Sequence, residues 1–210
     1  ALLKRSTLPT TIYKKQKIDR DDMIDITDFD VVAWIKGEMR LMLDEEIARA
    51  ILVGDGRESS SDDKINEQNI RPIWKDEDLY TVKSLVSVTD PKDGAKVAKE
   101  FIRAAIKSRK DYKGSGNPAL YTTEDVLTEM LLLEDTTGRA IYDSEEKLRT
   151  TLRVSEIITV PVMENQKRQD GAKKKQLLGI ITNIGDYNVL RYRLQCSKIP
   201  NRNSLLWCVS

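Results

Sequence analysis

From Val32 to Ile51 apolar residues recur at a helical spacing, and this run constrains the fold more than anything else in the chain. Val32, Ile35, Met39, Leu43, Ile47, Ala50 and Ile51 share one side of a helix, because residues three and four apart stack on one face. Lys36, Glu38, Arg40, Asp44, Glu45 and Arg49 take the other faces. Thr27 and Asp30 have the spacing of a capping box, with aspartate in place of Glu or Gln. Gly54 and Gly56 supply stop signals at the far end. The spacing therefore predicts a helix over Asp28–Val53, roughly 39 Å long at about 1.5 Å per residue. Helices average about 11–12 residues, so this one has the length of a strut. The consecutive carboxylates Asp44, Glu45 and Glu46 fan around such a helix and do not converge on one substrate. A solvated face is expected for them.

Composition narrows the function classes. At 210 residues and 40% hydrophobic content, the chain can bury a core in one domain or two closely joined ones. Its 35 basic and 34 acidic side chains leave a net charge of +1, which argues against bulk electrostatic binding to nucleic acid or an anionic membrane. No apolar run approaches the roughly 20 residues of a membrane span, and no secretory signal pattern opens the sequence. The two cysteines, Cys196 and Cys208, fall within the last 15 residues, too few for a disulfide framework, so a reducing, intracellular setting is expected. Histidine is absent, which removes Ser-His-Asp and Cys-His chemistry, His-ligated zinc and the commonest general base. No P-loop and no GxGxxG is present. No catalytic, cofactor-binding or metal-ligating residue is assigned, and the chain is not expected to be an enzyme.

Along the chain, residues 1–9 are aperiodic and Thr10–Ile18 alternates enough to predict a strand, with Lys14, Lys15 and Lys17 on a solvated face. Asp19–Asp30 holds six aspartates but lacks the glycine and terminal glutamate at the offsets of an EF-hand loop. Gly54–Arg57 and the serine-aspartate run to Asp63 read as a flexible surface loop; a phosphorylated serine is the sharper alternative. Thr89-Asp90-Pro91 introduces a helix to Arg109 with Val97, Phe101, Ala104 and Ala105 on its apolar face. Lys107–Lys113 is a basic patch with one tyrosine, weak for single-stranded nucleic acid and suited to a helix C-terminus. After the loop Gly114–Pro118, Ala119–Thr122 reads as a buried strand. Thr122 or Thr123 then caps a helix through Leu133 carrying Val126, Leu127, Met130 and Leu131. A turn comes next, at Glu134–Gly138. Ser155–Val162 and Gln176–Ile184 are predicted as two strands flanking an exposed hairpin loop, Glu164–Lys175.

Three of these segments, in order, carry a family resemblance. DITDFDVVAWIKGEMRLMLDEEIARAILVGDGR resembles the spine helix and GDG turn of tailed-phage major capsid proteins. NPALYTTEDVLTEMLLLEDTTGRAIY is similar to that family's strand, helix and acidic turn ending in glycine, arginine and an aromatic. SEIITVPV sits where the family carries a valine- and proline-rich strand. The resemblance covers roughly residues 12 to 190. It implies an α+β, phage capsid-type fold, with a long spine helix in a peripheral domain and a mixed α/β axial domain. The expected organisation is an extended N-terminal remnant at 1–11, a peripheral-domain part at 12–75, an axial-type domain at 76–190 and an unmatched tail at 191–210.

In function, the resemblance implies a structural subunit of an icosahedral phage or prophage capsid. Such a subunit would self-assemble into hexamers and pentamers in the host cytoplasm and end in the virion shell. Portal, scaffold and decoration proteins are the further partners implied, together with packaged DNA held without sequence-specific contacts; no cofactor and no membrane are implied. The family's N-terminal arm and extended loop have no match, and the tail carries four basic and no acidic residues against 31 and 34 in the remainder. The chain is therefore expected to be incomplete at both ends. An encapsulin-type nanocompartment shell is the neighbouring alternative. A nucleic-acid-binding accessory protein using Lys107–Lys113, Lys167–Lys175 and the basic tail is the alternative from another class.

Overall fold

A computed structural model of the chain describes residues 31–58, 60–62, 64–78, 80–170 and 173–187. The Thr10–Ile18 strand, the aspartate-rich stretch, the Thr27/Asp30 cap and the tail with both cysteines lie outside the described residues. The protein is mixed helix and sheet. It divides between Pro72 and Ile73 into two compact units.

The first unit is organised by α1, Val31–Leu52, a single helix of 22 residues. Met39 and Ala50 are buried, and Val32, Ile35, Leu43, Ile47 and Ile51 are half-buried along the expected face. Lys36, Glu38, Arg40, Asp44, Glu45 and Arg49 are all exposed. The helix is less one-sided than its periodicity suggests, because Trp34 and Leu41 stand 54% and 55% exposed away from that face. It ends where Val53 N and Gly54 N both donate to Arg49 O at 2.9 Å. Gly54 then turns the chain with φ at 101°, a conformation that would strain any residue with a Cβ.

The second unit begins with a turn at Ile73–Lys75 and α2, Gly94–Ser108. This helix starts later than Thr89–Pro91 suggests. Asp90 spends its carboxylate on Lys92 N inside a turn, at 3.1 Å, and Asp93 accepts from Lys96 N at 3.2 Å as the true cap. Its buried face is Ala98, Phe101, Ile102 and Ala105, so Val97 and Ala104 flank the core rather than fill it. Strand β1, Ala119–Thr122, leads into α3, Glu124–Leu131, capped by Thr123. The helix stops short of Leu133 because the chain folds back through a tight turn, with Asp135 N to Arg139 O at 2.8 Å and Gly138 at φ 77°.

A further helix, α4, Glu145–Leu152, has no counterpart among the predicted elements. Ser144 caps it by accepting from Lys147 N at 3.4 Å, and Leu148 and Leu152, one turn apart, are fully buried. Strands β2, Ile157–Thr159, β3, Lys167–Asp170, β4, Lys173–Gln176, and β5, Gly179–Thr182, complete the unit. The expected pairing of Ser155–Val162 with Gln176–Ile184 does not form. Instead β1 lies between them in the order β2-β1-β5, parallel to β2 and antiparallel to β5. The parallel pair is joined through α3 and α4, as a parallel connection requires a crossover. Pro161 starts a helical turn that ends β2, and the connection predicted as a loop is itself a two-stranded ribbon, β3 with β4.

The core of this unit joins α2, α3 and α4 to the sheet through Phe101, Leu120, Met130, Leu148, Leu152 and Ile157. Thr122, fully buried, satisfies its hydroxyl by donating to Leu178 O at 2.7 Å. At Gly179 a Cβ would sit 2.8 Å from the Phe101 ring and 3.2 Å from Tyr121 O, so the β1–β5 pairing needs glycine there. We expect Leu148→Ala to cost about 2–5 kcal/mol and Gly179→Ala about 1–3 kcal/mol. Urea titration read by far-UV circular dichroism checks both.

Candidate functional site

Polar side chains converge at two places among the described residues, one in each unit. The first is Asp55, in the loop that closes α1. The residue types around it predict a mobile surface loop, yet Asp55 is only 4% exposed. Its Oδ2 accepts from Ile65 N at 2.7 Å, and its Oδ1 accepts from Lys64 Nζ at 3.2 Å and Arg57 N at 3.3 Å. Lys64 Nζ also donates to Arg57 O at 2.7 Å and pairs with Glu67 at 3.6 Å. Burial by itself would raise the Asp55 pKa; the bonds from Ile65, Lys64 and Arg57 outweigh it and hold the carboxyl below its ordinary value. The group is thus an ionised acceptor at neutral pH, and its chemistry is that of a staple fixing the 54–57 turn to the 64–65 backbone. Glu46 leans the same way: it is half-buried, with one oxygen 4.0 Å from Arg57, while Asp44 and Glu45 are solvated.

The second cluster closes the loop before β1. Asp186 accepts from both the backbone N–H of Ser115, at 2.7 Å, and the Ser115 hydroxyl. Asn183 Nδ2 donates to Ser115 O at 3.1 Å, and its Oδ1 accepts from Gly185 N at 3.0 Å. The Tyr112 hydroxyl adds a bond to Ser115 O at 3.4 Å. Burial raises the Tyr112 pKa, the Asp186 charge raises it further, and Arg109 opposes both. A serine beside a carboxylate invites a nucleophile reading. Here the Ser115 N–H, which an oxyanion at this serine would need as a donor, is taken by Asp186. The geometry is that of a clasp between residues 112–115 and 183–186. Sequence reasoning missed it, since 68 to 71 residues separate the partners.

Two of the basic candidates lie among the described residues, and the basic tail lies outside them. Within Lys107–Lys113, Arg109 lies over the Tyr112 ring, 4.9 Å from its centroid, so the one aromatic of that patch is covered by the chain's own guanidinium. Lys167–Lys175 forms the β3–β4 ribbon, whose register sets Arg168 opposite Lys175 and Asp170 opposite Lys173. No group of three His, Cys, Asp or Glu placed to hold a metal occurs among the described residues. No helix there is long and apolar enough to cross a membrane.

The Asp55 staple has a pH signature. A carboxylate with a lowered folded pKa contributes its full stability above the ordinary value of 3.8 and loses it as pH falls through the folded value. Asp55→Asn should cost about 1–3 kcal/mol at neutral pH, and its deficit should close as pH drops below about 4. Parallel denaturation curves for the two proteins from pH 7 to acid measure this.

Comparison of the chain with known protein families, with curated proteins and with solved structures finds no match.

Proposed function

We propose that this chain is a structural subunit of an icosahedral tailed-phage or prophage capsid, which self-associates into hexamers and pentamers around packaged DNA. The observation that carries this reading is the end of α1. A helix of 22 residues closes in a Gly-Asp-Gly turn whose aspartate is buried and bonded to the chain about ten residues further on. A strut with a locked end transmits a fixed geometry from one contact to the next, as a shell subunit must. The order behind it supports the same reading: strand β1, the Thr123 cap, α3, and the Asp135–Gly138 turn succeed one another in the second unit. Large apolar side chains are also left at the surface, with Leu41 at 55%, Val82 at 57%, Leu85 at 64% and Leu132 at 67% exposure, available to contacts that symmetry would multiply however modest each is.

The β3–β4 ribbon favours a second reading. Five basic residues and one aspartate occupy its eight positions, and a two-stranded ribbon fits the major groove. That points to an accessory protein on nucleic acid.

Viewed by negative-stain microscopy, the protein should form capsomer rings or closed shells. A product that stays monomeric at the highest attainable concentration overturns the shell reading. DNA affinity falling steeply with salt in such a monomer would transfer the weight to the accessory reading.

A further inference from the structure

Between the turn at Tyr80–Thr81 and the capping turn of α2, the chain crosses the surface of the second unit in one straight run. From Val82 to Thr89 no backbone N–H or C=O forms a hydrogen bond among the described residues, and the run has no bend through Val88. The residues, VKSLVSVT, are rich in β-branched types, which favour a pleated strand. Burial alternates as in a strand over the second half, where Val86 and Val88 are half-buried, with Val86 against the core, and Leu85, Ser87 and Thr89 are exposed; Val82, Lys83 and Ser84 before them are all exposed. The segment lies outside both sheets, and a run of this length with its backbone groups unbonded is a template for another strand. The devices that normally blunt such a template are missing. It has no proline, and its one charge, Lys83, is neutralised by Asp78 at 2.7 Å.

We propose that this segment is a contact between copies of the chain, two copies pairing antiparallel about Leu85 across a two-fold axis. The argument for a second copy is self-complementarity. Centred on Leu85, the register sets Val82 opposite Val88, Lys83 opposite Ser87, Ser84 opposite Val86, and Leu85 opposite its own counterpart. No like charges meet, apolar meets apolar at the ends and centre, and the pattern has the two-fold form an isologous interface demands. A parallel in-register pairing would instead set Lys83 beside Lys83. The inference rests on the self-association proposed above and names one of its contacts.

Cross-linking tests the register. With Cys196→Ser and Cys208→Ser as background, Leu85→Cys places two sulfurs across the axis, where opposed Cα atoms lie about 4.5–5.5 Å apart, inside the roughly 4.4–6.8 Å range of disulfides. Under mild oxidation Leu85→Cys should give a covalent dimer. Ser87→Cys alone should not, whereas a mixture of Ser87→Cys with Lys83→Cys should. In addition, Leu85→Lys, at a surface position, should leave thermal unfolding of the dilute, dissociated protein unchanged and weaken self-association by about tenfold or more. Equal cross-linking of Leu85→Cys and Ser87→Cys homodimers overturns the pairing, as does unchanged association of Leu85→Lys. Rings or shells without the Leu85→Cys dimer sink the pairing and leave the shell reading standing. A Leu85→Cys dimer in a protein that stops at two copies does the reverse.

Discussion

Four residues of β1 hold the second unit's three-stranded sheet together. Leu120 and Thr122 face inward and are fully buried; on one edge the strand pairs with Ile157–Thr159, and on the other with Gly179–Thr182. Both partners come from far along the chain, so the ladders form only after α3, α4 and the β3–β4 ribbon have been bridged. That loop-closure cost is offset by burial: Leu120, Met130, Leu148 and Leu152 have no exposed surface at all. Close approach then becomes a requirement, and Gly179 is where it is felt, because a side chain there meets the Phe101 ring and the backbone of β1.

Polar groups do the comparable work at the ends of elements. Asp55 turns the exit of α1 into a fixed corner by satisfying two backbone donors and an ammonium in one buried carboxylate. Asp186 and Asn183 clasp the loop that feeds β1. In both places, side chains that look reactive in isolation are consumed in holding backbone, since a buried or constrained polar group must be paired. Rigid corners of this kind suit a protein whose proposed task is to hold geometry.

The outer surface obeys another rule. Helix α1 keeps its charged residues solvated as their spacing implies, yet Leu41 stays exposed among them, and Val82–Thr89 carries strand-like residues without a ladder. Such features cost solubility in a lone molecule and acquire a purpose in an assembly. The shell proposal and the antiparallel pairing about Leu85 both draw on this imbalance between what the chain can bury alone and what it presents.

Local signals in the sequence were sufficient for α1, for its glycine stop and for β1, because each depends on residues within a turn or two of one another; for the cap of α3 they left Thr122 and Thr123 open, and the structure takes Thr123 while Thr122 bonds to Leu178 O. Helix α4 was equally local, signalled by Ser144 and the Leu148/Leu152 pair, but its charged, short run hid the two leucines that matter. Strand partners were beyond reach: Ile157–Thr159 and Gly179–Thr182 look like a hairpin by proximity, and only the packing of α3 and α4 lets β1 insert between them. The two polar clusters were hidden for the same reason, as an aspartate followed by glycine reads as a loop until Ile65 and Lys64 are seen to close on it. Periodicity and caps are written in neighbouring residues and therefore belong to the sequence; pairing, burial and the pKa of Asp55 depend on residues brought together from a distance, and the tertiary structure alone decided them.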